Sequence, residues 1–105
     1  MKITSTHADN TLYVRLDGDI DHHSSRSVRE EVDRLIAASG AEIFELDLSE
    51  VDFMDSSGLG LVLGRYKKQT ESGGKMKIIN PSERILRILR LAGIEKIIKI
   101  ERVNQ

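Results

Sequence analysis

The chain has 105 residues, room for one domain around one core, and its 39% apolar and 31% charged composition excludes a disordered segment. With 16 basic and 17 acidic residues the net charge is −1, which argues against electrostatic capture of nucleic acid or of an anionic membrane. There is no cysteine, so disulfide, thiolate and cysteine–metal chemistry are excluded. Met1 to Thr6 shows no apolar leader pattern and no apolar run approaches bilayer length, so a cytoplasmic protein with a single domain over residues 1–105 is expected.

Lys2 to Thr6 reads as a short edge strand, followed by the turn-forming cluster Ala8-Asp9-Asn10-Thr11. Leu12 to Asp17 alternates cleanly, with Leu12, Val14 and Leu16 on one side and Tyr13, Arg15 and Asp17 on the other, the mark of a half-buried strand. After the loop Gly18 to His23, a helix is predicted from Ser24 to Ser39. Val28, Val32, Leu35 and Ile36 form its apolar stripe, and Gly40 stops it. Ser27 and Glu30 have capping-box spacing, with Ser24 and Asp21 as alternative caps.

Ile43 to Leu48 alternates again. A loop through Asp55 leads to a second helix, Ser56 to Thr70, with Leu59, Val62, Leu63 and Tyr66 as its expected core face and Ser72-Gly73-Gly74 as its end. Lys75 to Ile79 is a further strand with Met76 and Ile78 inward. Asn80-Pro81-Ser82-Glu83 predicts a helix start, Asn80 as cap and Pro81 in the first helical position. That helix runs to Ala92, stops at Gly93, and presents Ile85, Ile88, Leu89 and Ala92 to the core. Ile97 to Ile100 is a last short strand.

The order β-β-α-β-α-β-α-β implies a mixed, mostly parallel sheet of four to five strands joined by helical crossovers. A sheet covered on both sides carries continuous apolar strands, whereas these alternate. Helices packed on one face only are therefore expected.

The chemistry concentrates in Asp55-Ser56-Ser57-Gly58 at the start of the second helix. A helix cap accounts for one of its three polar residues. Gly58, Gly60 and Gly64 remain, each costing about 0.5–1 kcal/mol relative to Ala within a helix. They suggest a close approach to the backbone, by the sheet or by a partner. A phosphate on a serine here would meet free first-turn N–H groups and the positive end of the helix dipole. A small serine hydrolase is the rival enzyme reading, but Gly-x-Ser-x-Gly is absent and His7, His22 and His23 all precede Ser57. The glycines follow neither a Walker nor a dinucleotide-binding pattern. Asp21-His22-His23 lacks further metal ligands and reads as a loop surface beside Ser57, because loops after parallel strands gather at one end of the sheet. Arg84, Arg87 and Arg90 form a solvated helix face.

The stretch Phe53-Met54-Asp55-Ser56-Ser57-Gly58-Leu59-Gly60, continued by Leu63-Gly64-Arg65-Tyr66-Lys67, resembles the bacterial anti-sigma factor antagonists of the sporulation type, single-domain STAS proteins also called anti-anti-sigma factors. Gly18-Asp19-Ile20-Asp21-His22-His23 and Leu91 to Ile98 support the resemblance, which spans nearly the whole chain. It implies a STAS-like fold, no catalytic residues, no metal and no cofactor. It implies that Ser57, the second serine of the motif, is phosphorylated by an anti-sigma factor that is a serine kinase. The unphosphorylated chain would bind that kinase and free a sigma factor, and a serine/threonine phosphatase would reset it. The implied partner surface comprises Asp21, His22, His23, Asp55, Ser56, Ser57, Gly58, Leu59 and Gly60 of a monomer. A STAS scaffold subunit of a stress-signalling complex is the alternative.

Overall fold

Each alternating stretch forms a strand. In the computed structural model, which describes residues 1–102, these are β1 (Lys2–Ala8), β2 (Thr11–Asp17), β3 (Ile43–Glu50), β4 (Lys75–Ile79) and β5 (Lys99–Glu101). The end of the domain expected over 1–105, residues 103–105, lies outside the described residues. Between the strands run α1 (Ser25–Ser39), α2 (Ser56–Glu71) and α3 (Glu83–Leu91), with a 3₁₀ turn at Ile94–Lys96 leading into β5. The sheet order is β1-β2-β3-β4-β5; the first pair is antiparallel and the others are parallel. β1 reaches two residues beyond the expected Thr6, because Asp9 and Asn10 take φ of 53° and 60° and close a two-residue hairpin.

Register stacks the apolar side chains of neighbouring strands. Leu12, Phe44 and Met76 make one row, and Val14, Leu46, Ile78 and Ile100 the next. Val28 and Val32 of α1, Leu61 and Val62 of α2, and Ile85 and Leu89 of α3 join them in one cluster, so all three helices cover the same face. A fully buried Leu or Ile there contributes about 1.5–3 kcal/mol of transfer free energy. The opposite face bears Tyr13, Glu45, Lys77 and Lys99 in one row, with Arg15, Asp47, Ile79 and Glu101 in the next. The Tyr13 hydroxyl donates to Asp47. Burial, reinforced by that bond, pushes the phenol up to about 12.

The helices depart from the sequence pattern in three places. α2 buries Gly58, Leu61, Val62, Arg65 and Gln69, while Leu63, expected in the core, is exposed, and Leu59 and Tyr66 only flank the cluster. Arg65 Nε lies 2.7 Å from Asp33 Oδ1 of α1, and Gln69 Nε2 donates to the carbonyls of Ala41 and Glu42 at 3.1 and 2.9 Å. These partners let two polar residues occupy core positions that the apolar count had given to Leu59 and Leu63. α3 is capped by Ser82, whose hydroxyl accepts from Ile85 N–H at 3.2 Å, rather than by Asn80. Asn80 sits instead in the left-handed region at φ 54°, and Pro81 is buried ahead of the helix. Ala92 is exposed, and Leu86 takes the core place expected of it. At the end of the chain the 3₁₀ turn delays β5 to Lys99, leaving Ile97 half-exposed and Ile98 buried.

Candidate functional site

β2 and β3 run parallel, so the loops that follow them emerge at the same end of the sheet. They are also joined. Ile20 and Met54, both buried, form a parallel bridge in which Ile20 N–H donates to the Phe53 carbonyl at 3.0 Å and Asp55 N–H donates to the Ile20 carbonyl at 3.2 Å. The next residue on one strand of this bridge is Asp21, and on the other Asp55.

Asp21 shapes its own loop. Its Oδ1 accepts from the N–H groups of His23 and Ser24 at 2.9 and 3.0 Å, and its carbonyl accepts from Ser25 N–H at 2.9 Å. Ser24 Oγ accepts from Asp21 N–H at 3.1 Å and donates to the Asp19 carbonyl at 2.8 Å. The Ser24 N–H bond, with that of His23, holds the Asp21 carboxyl below its ordinary value. The Ser27–Glu30 capping box does not form: Ser27 Oγ donates to the Ser24 carbonyl, and Glu30 pairs with Arg26 at 3.6 Å. Asp21 and Ser24 start α1 instead.

Asp55 caps α2. Its Oδ1 accepts from Ser57 N–H at 2.8 Å and from Gly58 N–H at 3.3 Å, while Oδ2 accepts from His22 N–H at 3.1 Å. The first-turn donors expected to be free for a phosphate are thus taken by a carboxylate, although the helix dipole still points at Ser57. One side chain now orders both loops. Asp55→Ala is expected to lower unfolding free energy by about 1–2 kcal/mol, since three backbone donors lose their acceptor. Urea denaturation checks this, and an unchanged midpoint would contradict it.

The glycines divide by role. Gly58 is buried, and a Cβ there would run into Met54 Cγ and come within 3.0 Å of the Ile20 carbonyl and 3.2 Å of Ile20 Cγ2. The close approach at Gly58 therefore comes from the bridge beneath it. Around Gly60 and Gly64 a Cβ would meet nothing within 4 Å.

All the residues singled out from sequence lie at this one end. Ser56, His22, His23 and Gly60 are exposed, and Asp21, Asp55, Ser57 and Leu59 half-buried. The two histidine rings stand edge to face with centroids 5.7 Å apart, and among the described residues no three metal-ligating side chains converge. Three further features were not legible in the motif. Phe53 is 44% exposed beside the bridge; an aromatic residue outside any alternation was the available signal. Asp19, Asp21, Asp52 and Asp55 on the two loops, with Asp17 and Glu50 at the strand ends leading into them, gather carboxylates at this end of the sheet, which the near-neutral net charge conceals. Ser57 also opens on a groove of about 290 Å³ between α1 and α2, lined with it by Ser25, Arg29, Gly60 and Leu61. A larger cavity of about 780 Å³ lies at the far ends of the same helices, among Gly40, Ser72 and Gly73, and takes no part in the serine site.

A family model described as the STAS domain matches residues 2–104. The chain is 40% identical over 100 residues to an anti-sigma F factor antagonist of Paenibacillus polymyxa, covering 95% of this chain and 86% of that one. It is 37% identical over 92 residues to an anti-sigma-B factor antagonist of Bacillus subtilis (strain 168), covering 88% and 83%. The solved structure of the anti-sigma factor antagonist SpoIIAA in its unphosphorylated form superposes with a TM-score of 0.83 at 25% identity, covering 99% of this chain and 90% of that one. The Bacillus cell fate determinant SpoIIAA in its phosphorylated form gives 0.76, again at 25% identity, covering 99% and 93%. The chain belongs to the STAS domain family. Within that family its relatives are anti-sigma factor antagonists, regulators rather than enzymes, and this chain is a regulator of the same group.

Proposed function

We propose that this chain is a cytoplasmic, sporulation-type anti-anti-sigma factor controlled by phosphorylation of Ser57, acting as a monomeric STAS domain over 1–105. Unphosphorylated, it binds an anti-sigma factor serine kinase through Asp21, His22, His23, Asp55, Ser56, Ser57, Gly58, Leu59 and Gly60, and the sigma factor held by that kinase is released. The observation that carries this reading is the pairing of a half-buried Ser57 with the Asp21 loop through the Asp55 carboxylate and the Ile20–Met54 bridge. That link would hold the proposed binding surface and the proposed modifiable hydroxyl as one piece.

In the transfer step Ser57 Oγ forms the new bond to the γ-phosphorus of ATP held by the kinase. The bond to ADP breaks, and the serine proton passes to a base of the kinase. This chain contributes position only. A metal-dependent serine/threonine phosphatase then hydrolyses the phosphoserine and restores the binding form. Incubation with the kinase from the same cells and ATP, followed by phosphopeptide mapping, tests the assignment. Label is expected on Ser57 alone, and none on a Ser57→Ala variant that still binds the kinase. Label on Ser56, or retained by Ser57→Ala, overturns it.

A further inference from the structure

Arg29 of α1 lines the same groove as Ser57 of α2. Two rows face each other there, Ser25, Arg29 and Asp33 on α1 and Ser57, Leu61 and Arg65 on α2, each at four-residue spacing. At one end of the rows Asp33 is bound to the buried Arg65 at 2.7 Å. Asp33 stands one turn from Arg29 and would be its natural partner, but Arg65 has taken it. Among the described residues Arg29 makes no ion pair, whereas Arg26 and Arg34 of the same helix are paired with Glu30 and Glu31. Two cations and one carboxylate leave this end of the interface with one positive charge to spare. Burial, and after it the nearby charge of Arg29, works against the charged form of Arg65, which Asp33 favours. Gly60 lines the same groove, and a Cβ there would touch no atom within 4 Å. The donors that usually serve a phosphate at a helix start are occupied by Asp55.

We propose that the groove between α1 and α2 is a phosphate site in which the Arg29 guanidinium, assisted by the Ser25 hydroxyl, receives the phosphoryl group once Ser57 carries it. The inference rests on Ser57 being the acceptor. The guanidinium presents paired N–H donors to two phosphate oxygens, and it holds the phosphate against the chain's own surface.

The test uses the full chain with phosphoserine inserted at position 57 during translation, so that it needs no kinase. A pH titration followed by phosphorus NMR reads the second ionisation of the phosphate, which is about 6 when free. A neighbouring guanidinium favours the dianion while the Asp55 carboxylate at the same cap opposes it, so the difference between variants carries the test. Arg29→Gln should raise it by about half a unit or more, and Arg29→Lys should restore part of the shift. Arg26→Gln, the same charge change one turn away, should leave it unmoved. Equal values in the parent and Arg29→Gln overturn the proposal, and so does an equal rise in Arg26→Gln, which would report overall charge alone. If no kinase modifies Ser57, the regulatory reading fails while this titration still decides the role of Arg29.

Discussion

Phosphate on Ser57 is expected to weaken binding to the anti-sigma factor by about a hundredfold or more and to leave the fold intact. Phosphorylation adds about −1.5 to −2 charges and three acceptor oxygens. Within the chain this charge meets the positive end of α2, worth roughly 0.3–1 kcal/mol, set against the Asp55 carboxylate at the same cap. These terms partly offset each other, and no buried group has to move. Across the interface the charge meets like charge. A kinase that transfers phosphate to Ser57 must bring nucleotide phosphates to the same point, on a rim already carrying Asp19, Asp21 and Asp52. Like charges juxtaposed in an interface cost several kcal/mol, and about 1.4 kcal/mol is tenfold in affinity. Titration calorimetry with and without phosphate measures the loss. Amide NMR shifts should stay near Asp21 and Ser57; shifts spread through Leu12 to Leu16 and Met76 to Ile79 would reveal a global rearrangement and defeat the local mechanism.

Gly58→Ala should destabilise the chain by about 2 kcal/mol, while Gly60→Ala stabilises it by about 0.5–1 kcal/mol, although the two stand two residues apart on one helix. Alanine is the better helix former at both positions. At Gly58 the new methyl meets Met54 near the root of a buried side chain. It also meets the Ile20 carbonyl, which cannot retreat without losing the bond from Asp55 N–H. At Gly60 the methyl enters open space. For a domain near this size about 1 kcal/mol corresponds to 4–8 °C in melting temperature, so the two variants should melt on opposite sides of the parent. Variants that melt together would mean that the bridge yields easily.

The strands were legible because half-buried strands announce themselves by alternation, and the one-sided sheet followed from the same alternation. The serine stretch drew notice because three glycines are costly in the first turns of a helix, and of these only Gly58 has a close neighbour. What stayed hidden shares one cause: residues whose place depends on a partner distant in sequence. Arg65 is buried by Asp33, and Gln69 by the carbonyls of Ala41 and Glu42. Neither can be ranked as core from its own type. Leu63, apolar and correctly spaced, is exposed because those two hold the inner face. Asn80-Pro81-Ser82-Glu83 contains two good starts in overlapping frames, and only the turn at Asn80 decides for Ser82. Arg29 showed no local signal, since its lack of an ion pair among the described residues follows from Asp33 being bound to Arg65.

The Ile20–Met54 bridge carries a kinetic consequence. A protein whose binding surface forms only part of the time binds with an affinity reduced by that fraction. Asp21 and Asp55 are anchored on either side of one backbone bridge, so if they form the partner surface proposed above, that surface is assembled before any partner arrives. Encounter then leads to capture without waiting for a loop to close, and the association rate is governed by diffusion and by the charges on the rim. Under the proposed function, a site fixed in this way stores its signal in a covalent bond on Ser57 rather than in a shape. Its response time is the turnover of the two enzymes proposed to make and break that bond.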